Sequence, residues 1–378
     1  YGTGTSRLRH DHARCQSRAV AHRGTARGNS PAGIAFAASS GITERRLREK
    51  SPMPEVSVSE IETVARDALR AHGAEGDVAT TMADAVAWAE ARGNRVCGLY
   101  YLESYCLQLR SGRVDGAATP VVARPRAGLV HVNAANGFAQ PAFLAARPEV
   151  AAAAREAGVA SLSIRRMHTC TALGWFTEAI AREGLIAIAM TNASPVVAAP
   201  GGKRRVIGTN PVAFAAPDAA GGVAVAFDQS TTQVALGRIT MAKAAGEAIP
   251  EGWALDAEGR PTTDPDAALA GSLAPAGGHK GWGLGVMVEL LVAGLAGGRL
   301  SRDVAPLKAP EGDPHDLSLF MLVLDPSASD VFDARLSDLI AMVEAEGLGR
   351  LPGRGRVPAQ MVEVPAPLWA ACRALAAP

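Results

Sequence analysis

A chain of 378 residues with 48% hydrophobic content is long enough to bury a large core and to divide into two or three subdomains. Its formal net charge of +1 gives a nucleic-acid or anionic-membrane role no global support. The balance is uneven, because residues 1–52 carry ten Lys and Arg against three acids. The five cysteines, Cys15, Cys97, Cys106, Cys170 and Cys372, form neither CxxC pairs nor a dense framework, which fits a reducing, cytoplasmic compartment. The longest apolar run, Leu284 to Leu295, contains Glu289 and several glycines and is too short to span a bilayer.

In chain order, residues 1–52 are rich in Arg, Ser, Gly and Ala, show little periodicity, and hold His10, His12 and His22 without a ligand pattern. They read as a disordered extension, as a targeting peptide that lacks an amphipathic repeat, or as upstream sequence translated from a misplaced start; the last is favoured. From Ser57 the text turns helical. Ser57 and Glu60 form a capping box, Ile61, Val64, Ala68 and Leu69 share one face, and Gly73 ends the run. Asp77 then caps a second helix through Met82, Val86 and Trp88 to Gly93.

The stretch ARGNRVCGLYYLESYCLQLRSG follows. After it, Ala127 to Val132 and Gly158 to Ile164 read as strands around a helix from Pro141, the alternation of an α/β layer. The second strand runs into RRMHTCTALGWF, where His168 is either an acid or base at a strand-to-helix turn or a satisfied polar residue. Leu185 to Met190 is another strand. PGGKRRVIGTNPVAF comes next, with an Asn that closes a turn and a basic Lys203, Arg204, Arg205 run that reads equally as a 2′-phosphate contact or a solvated turn. GVAVAFD ends in Asp228 and leads to Gln229, Ser230, Thr231 and Thr232, an acid with flanking hydroxyls suited to ribose and amide groups. GWALDAEGRPTTDP and GGHKGWGL complete a glycine- and proline-punctuated core of loops, which bring backbone close to a ligand. The apolar helix after them is expected to be central, with Glu289 structural; Leu317 to Asp325 is a further strand. No Gly-x-Gly-x-x-Gly after a strand, Walker loop, zincin helix or Gly-x-Ser-x-Gly elbow is present.

The order and wording of these pieces resemble the type 2 malate/L-lactate dehydrogenase family, a group that includes sulfolactate, ureidoglycolate and diketogulonate dehydrogenases or reductases and piperideine-carboxylate reductases. The resemblance covers nearly everything after Met53. It implies a three-layer α/β/α fold with a mixed sheet, of the sulfolactate dehydrogenase kind and distinct from the Rossmann fold. It also implies NAD or NADP as cofactor and a homodimer with active sites at the interface. The cofactor-binding domain would span 126–299, inserted into a helical substrate and dimerisation domain built from 53–125 and 300–378.

Relatives read Arg-Gly, two residues, Ser-His-Gly, two residues, Arg, and a Tyr four positions later. The frame is kept here as Arg92, Gly93, Gly98 and Tyr105, but the Ser position is Val96, the His position Cys97 and the Arg position Tyr101. In relatives the His exchanges a proton opposite the hydride, the Ser orients it and the Arg grips the substrate carboxylate. Cys97 acts as acid or nucleophile only if its pKa is suitably placed, and is otherwise a small buried residue. Tyr101 offers a hydrogen bond without charge. Anchored on Gly174, the family's second Ser and His positions fall on Met167 and Thr169, and an Asp that relays charge to the catalytic His falls on Arg238.

The resemblance carries cofactor contacts onto Thr169, Cys170, Thr171, Ala172 and Leu173, then Asp228, Gln229, Ser230 and Thr231, then His279 and Lys280, and Arg354 beside the Leu-Pro-Gly turn. It predicts an NAD(P)-dependent oxidoreductase acting on a C=O/C–OH or C=N/C–N group of a small molecule that lacks a free 2-oxo carboxylate. Cys97, His168, Tyr101 or water would stand in for the missing proton relay. The alternative is a non-redox descendant, either a silent partner protein or a cyclase or lyase that reuses the pocket.

Overall fold

The computed structural model describes residues 53–347 and 349–377, so the expectations for residues 1–52 lie outside it. Along the chain come β1 (Glu55–Ser57), α1 (Val58–Ala71), α2 (Gly76–Ala91) and α3 (Leu102–Arg110). Next are β2 (Val121–Arg126), β3 (Leu129–Asn133), α4 (Ala139–Ala157), β4 (Val159–Met167), α5 (Leu173–Ala181) and β5 (Ile186–Thr191). Short elements follow: β6 (Val197–Ala198), β7 (Arg205–Ile207), β8 (Val212–Pro217), β9 (Val223–Gln229), α6 (Leu236–Ala245), β10 (Ala254–Leu255), β11 (Pro261–Thr262), α7 (Pro265–Ala270) and β12 (Ser272–Leu273). Helix α8 (His279–Glu289) continues into a π-helical turn, and β13 (Leu317–Leu324), α9 (Phe332–Ala345), β14 (Met361–Glu363) and α10 (Ala366–Leu375) end the chain.

Local chemistry explains the first boundaries. The Ser57 hydroxyl accepts the Glu60 amide at 3.2 Å and opens α1, whose Ile61, Ala65, Ala68 and Leu69 form the buried stripe. Gly73, at φ +105°, releases the chain from it. Helix α2 is capped two residues before the expected Asp77, at Glu75, with no side-chain capping bond; Asp77 instead places its charge in the first turn.

A seven-stranded mixed sheet, ordered β2-β3-β4-β13-β5-β8-β9, is the centre of the molecule. Within this sheet only β3 and β4 pair in parallel, and α4 supplies the crossover that parallel neighbours require. Side chains of β5 and β13 alternate between two cores. Ala187, Ala189, Leu319 and Met321 face α4 and α5, while Met190 and Phe320 face Val288 and Val292 of α8 and its continuation. This is the three-layer α/β/α arrangement that the resemblance implied.

Strand β13 belongs to the last fifth of the chain, yet it pairs with both β4 and β5. Residues 300–378 therefore contribute to the central sheet as well as to the helical lobe, where β14 pairs with β1 and Val364, Trp369 and Cys372 join Ile61, Leu69, Met82 and Leu102 in one core. A second sheet, ordered β11-β10-β12-β6-β7, packs over its own small core of Val197, Ile207, Ile239 and Leu273.

Helix α8 differs from expectation. It buries Gly281, Gly285, Val288 and Glu289 and turns Leu284, Met287 and Leu290 outward. The cause is steric: a Cβ at Gly285 would stand 2.6 Å from Ile207 Cδ1, so the helix seats itself through its glycines and leaves its larger apolar residues exposed. Glu289 is structural, as expected. It accepts from Asn210 Nδ2 at 2.8 Å and from the Ser301 amide at 3.1 Å, fixing the Gly208–Pro211 turn to α8. No helix among the described residues is long and apolar enough to cross a membrane.

Candidate active site

A cavity of about 540 Å³ opens where the end of β9, the start of α5 and the turn after Leu351 meet, walled by Trp88, Asn94, Gly174, Phe227, Asp228 and Gly353. Asp228 organises it. Its Oδ2 accepts the Gly174 amide at 2.9 Å, so the penultimate residue of β9 also caps α5. Asp228 remains exposed along the cavity wall, but protein crowds its carboxyl; burial pushes it up to about 6, against the hydrogen bonds from the Gly174 and Leu173 backbone that lower it. Gly353, also in the wall, adopts φ +76°, and a Cβ there would lie 2.6 Å from Ala226 O; the turn closes on β9 because it has none.

Three arginines add cationic character to this cavity. Arg92 pairs with Glu178 at 2.8 Å and lies 4.1 Å over the Trp88 ring, while Arg182 shares the same carboxylate at 2.7 Å. Arg356 donates to the Arg92 carbonyl at 2.6 Å, a neutral acceptor that leaves its charge uncompensated there. The expected cation of this turn, Arg354, instead pairs with Glu344 at 3.1 Å and does not line the cavity.

The segments expected to hold a cofactor are thus brought together only in part. Side chains of Thr169, Cys170, Ala172 and Leu173 are buried, and the amides that open α5 are occupied by Asp228. Thr171 adopts φ +51°. Beyond Asp228, the Thr231 hydroxyl donates to Thr209 O at 3.0 Å and the Ser230 hydroxyl to Thr232 O at 3.2 Å, which ties both to their own turn. Gln229, His279 and Lys280 are exposed, the last two at the start of α8 and outside the cavity lining. Arg205, open on sequence to a phosphate role, donates to the carbonyls of Gly271 and Leu269 and serves the fold.

The substituted catalytic positions lie on two short 3-10 turns, Arg95–Cys97 and Leu99–Tyr101. Between them Gly98 passes so close to buried Glu90 that a Cβ would meet its Oε1 at 2.2 Å, while Glu90 accepts the Leu99 amide at 2.8 Å. Val96 packs on Gly237, whose Cβ would lie 3.2 Å from it, which brings residues 96–97 to the start of α6 and Arg238. Cys97 is half-buried; burial first, then the charge of Asp228, pushes its thiol up to about 12. Burial likewise raises the Tyr101 phenol. At neutral pH both groups keep their protons, so neither is a ready base or thiolate nucleophile.

His168 is a core residue, which excludes it as an acid or base at an open site. It is buried among Tyr105, Phe138 and His315, its ring 4.1 Å from that of His315 and its Nε2 2.8 Å from Gln108 Oε1. Because Gln108 Nε2 is committed to carbonyls, the network assigns Nε2–H of His168 as the donor. Burial, His315 and Arg113 hold its pKa well below the ordinary value.

Sequence reasoning missed Trp88, Asn94 and Arg356 as cavity residues. Trp88 sits on a stripe that reads as core packing, and Arg356 falls two positions beyond the turn motif. Only the juxtaposition of α2, β9 and the 353–358 turn discloses them.

Fold and cavity define a three-layer α/β protein with an aromatic and cationic site at a strand-to-helix junction. The malate/L-lactate dehydrogenase family model matches residues 56–360, and the chain belongs to that family. It is 40% identical over 309 residues to a Delta(1)-pyrroline-2-carboxylate/Delta(1)-piperideine-2-carboxylate reductase of Pseudomonas putida, spanning 81% of this chain and 90% of that protein. It is 43% identical over 305 residues to a (2R)-3-sulfolactate dehydrogenase (NADP(+)) of Chromohalobacter salexigens, spanning 80% and 90%. The crystal structure of delta1-piperideine-2-carboxylate reductase from Pseudomonas syringae pvar. tomato superposes with a TM-score of 0.78 at 36% identity, covering 85% of this chain and 99% of that one. The sulfolactate dehydrogenase of Methanocaldococcus jannaschii, at 23% identity and a TM-score of 0.72, shares the fold. The chain is accordingly an oxidoreductase of an NAD(P)-dependent family, as its motifs implied.

Proposed function

We propose that this protein uses NADH or NADPH to reduce a C=N or C=O group of a small molecule, with the cofactor held in the Asp228 cavity. The observation that carries the reading is the junction of Asp228, the start of α5 and the Gly353 turn, which brings three separately predicted cofactor segments to one place. The residues there suit a dinucleotide. Trp88 and Phe227 offer aromatic faces, Asp228 accepts from ribose hydroxyls, Arg356 faces phosphate, and the volume lies within the usual range for small-ligand pockets, about 300–1,000 Å³.

The bound cofactor supplies hydride; the chain positions the acceptor. Cys97 and Tyr101, both protonated at neutral pH, act as hydrogen-bond donors that orient it. The relatives named above act on pyrroline- or piperideine-carboxylate and on sulfolactate, which supports a small imine or carbonyl substrate. The expectation of a substrate without a carboxylate rests on the uncharged Tyr101 alone.

Two further features of the proposal have separate support. The outward face of Leu284, Met287, Leu290 and Leu295, and α9, which buries none of its side chains, fit a homodimer. The free cysteines Cys97, Cys106, Cys170 and Cys372 fit a reducing, cytoplasmic setting. The cavity wall is shared almost evenly between residues 126–299 and the two segments outside them, 88–94 and 353–358, so the cofactor site would draw on both parts of the chain.

The test is loss of reduced-nicotinamide absorbance with Delta(1)-pyrroline-2-carboxylate, Delta(1)-piperideine-2-carboxylate and simple 2-oxo acids, with product analysis. Formation of the saturated amine or alcohol supports the reading. Cofactor binding with every substrate returned at an unchanged oxidation level would favour a non-redox descendant.

A further inference from the structure

The segment from Val304 to Asp316 has no regular structure beyond turns, yet its backbone is held by an unusual set of side chains. Gln108 Nε2 donates to the carbonyls of Leu307 at 2.8 Å and Ala309 at 2.7 Å, and the Ser111 hydroxyl to Pro310 O at 2.7 Å. Buried Arg113 donates to the carbonyls of Pro306, Ala309 and Asp313. His168 completes the network by binding the other end of the Gln108 amide. A loop with this many side-chain bonds is fixed in place rather than left to drape over the surface.

Lys308 sits between the two carbonyls that Gln108 clamps. Its side chain turns toward the catalytic turns: Nζ donates to Tyr100 O at 2.8 Å and lies 3.0 Å from the Tyr100 ring centre and 4.8 Å from that of Tyr101. Tyr101 in turn lies within electrostatic reach of Cys97, and Cys97 within reach of Asp228. Cys97 is thus near both Asp228 and Tyr101, and Tyr101 is in contact with Lys308. A substrate seated against Cys97 and Tyr101 would have the cofactor near the one and a single, positioned ammonium near the other.

We propose that Lys308 is a substrate-binding residue whose ammonium receives the carboxylate of the molecule reduced at this site. The inference rests on the reductase reading above and deepens it, because it assigns the substrate an anionic end. Two aromatic faces and one carbonyl hold the ammonium without neutralising it, which leaves donor capacity and charge for an incoming anion. Tyr100 and Tyr101 on the turn and Glu103 on α3 are the titratable groups that face it. Burial lowers the lysine to about 7, opposed by Glu103, so its charge is intermittent near neutrality in the free protein; a bound carboxylate favours the protonated form.

The test is calorimetric titration of pyrrole-2-carboxylate, a flat unreactive carboxylate, into the full chain and its Lys308→Met and Lys308→Arg variants, with and without NADPH. We expect Lys308→Met to weaken binding of the carboxylate by roughly tenfold or more, Lys308→Arg to recover most of the loss, and NADPH affinity to stay the same in all three. Binding to the wild type should also weaken as pH rises through 7, while binding to Lys308→Arg should not. Equal carboxylate affinity in wild type and Lys308→Met would overturn the proposal, as would no binding of pyrrole-2-carboxylate to the wild type. Lys308-dependent carboxylate binding in a protein that binds neither NADPH nor NADH would support the proposal and refute the cofactor reading instead.

Discussion

Asp228 Oδ2 accepts the Gly174 amide at 2.9 Å, so one carboxylate near the end of a strand caps a helix and lines the cavity. These roles pull in opposite directions, because burial raises the carboxyl to about 6 while the helix amides favour its charged form. A raised folded-state pKa in an acid means that stability falls as pH climbs from the unfolded value toward the folded one. Asp228→Asn keeps an amide oxygen for the cap and removes the charge. Its melting temperature should match the wild type at pH 4 and equal or exceed it at pH 8, while its affinity for reduced cofactor falls; thermal scans at both pH values check this.

Gly98→Ala should be costly, since the added Cβ would lie 2.2 Å from Glu90 Oε1 in a closed part of the core. Overpacking there and disturbance of the Glu90–Leu99 bond should destabilise the fold by about 2 kcal/mol in urea unfolding. Combined with Glu90→Ala, the cost of Gly98→Ala should shrink, because the clash is with that side chain; strict additivity would refute the steric account.

His168 and His315 are stacked and held neutral, His315 at about 3. In the unfolded chain each takes a proton near 6.5, so their contribution is complete above that pH and is lost as pH falls from there toward the folded values. Stability should therefore drop steeply between pH 6.5 and 4, and His315→Phe, which keeps a ring against His168, should flatten that slope. Denaturant midpoints across this range decide it.

The thiols of Cys97, Cys106, Cys170 and Cys372 are each pushed up to about 12 by burial. Iodoacetamide at pH 8 should leave all four unmodified in the folded protein and label them in urea. Rapid labelling of Cys97 in the folded state would show a reactive thiolate and reopen its role as a nucleophile.

Much of this architecture was legible because it is local. The Ser57 cap, the β3-α4-β4 alternation and the acid near the end of β9 each follow from neighbouring residues. The errors came from long-range packing. Nothing near His168 announces that Gln108 and His315 bury it, and nothing near Arg354 announces that Glu344 takes its charge while Arg356 faces the cavity. Lys308 reads on sequence as a loop lysine; its environment is made by residues some two hundred positions earlier.

The central claim is that a nicotinamide cofactor occupies the Asp228 cavity, and Trp88 in its wall provides the means to test it. Fluorescence titration of NADPH and NADH should show micromolar binding of at least one, with quenching reduced by Trp88→Phe and NADPH affinity lowered roughly tenfold by Arg356→Gln. Absence of binding by either cofactor at millimolar concentration, or binding that neither substitution affects, would contradict the account.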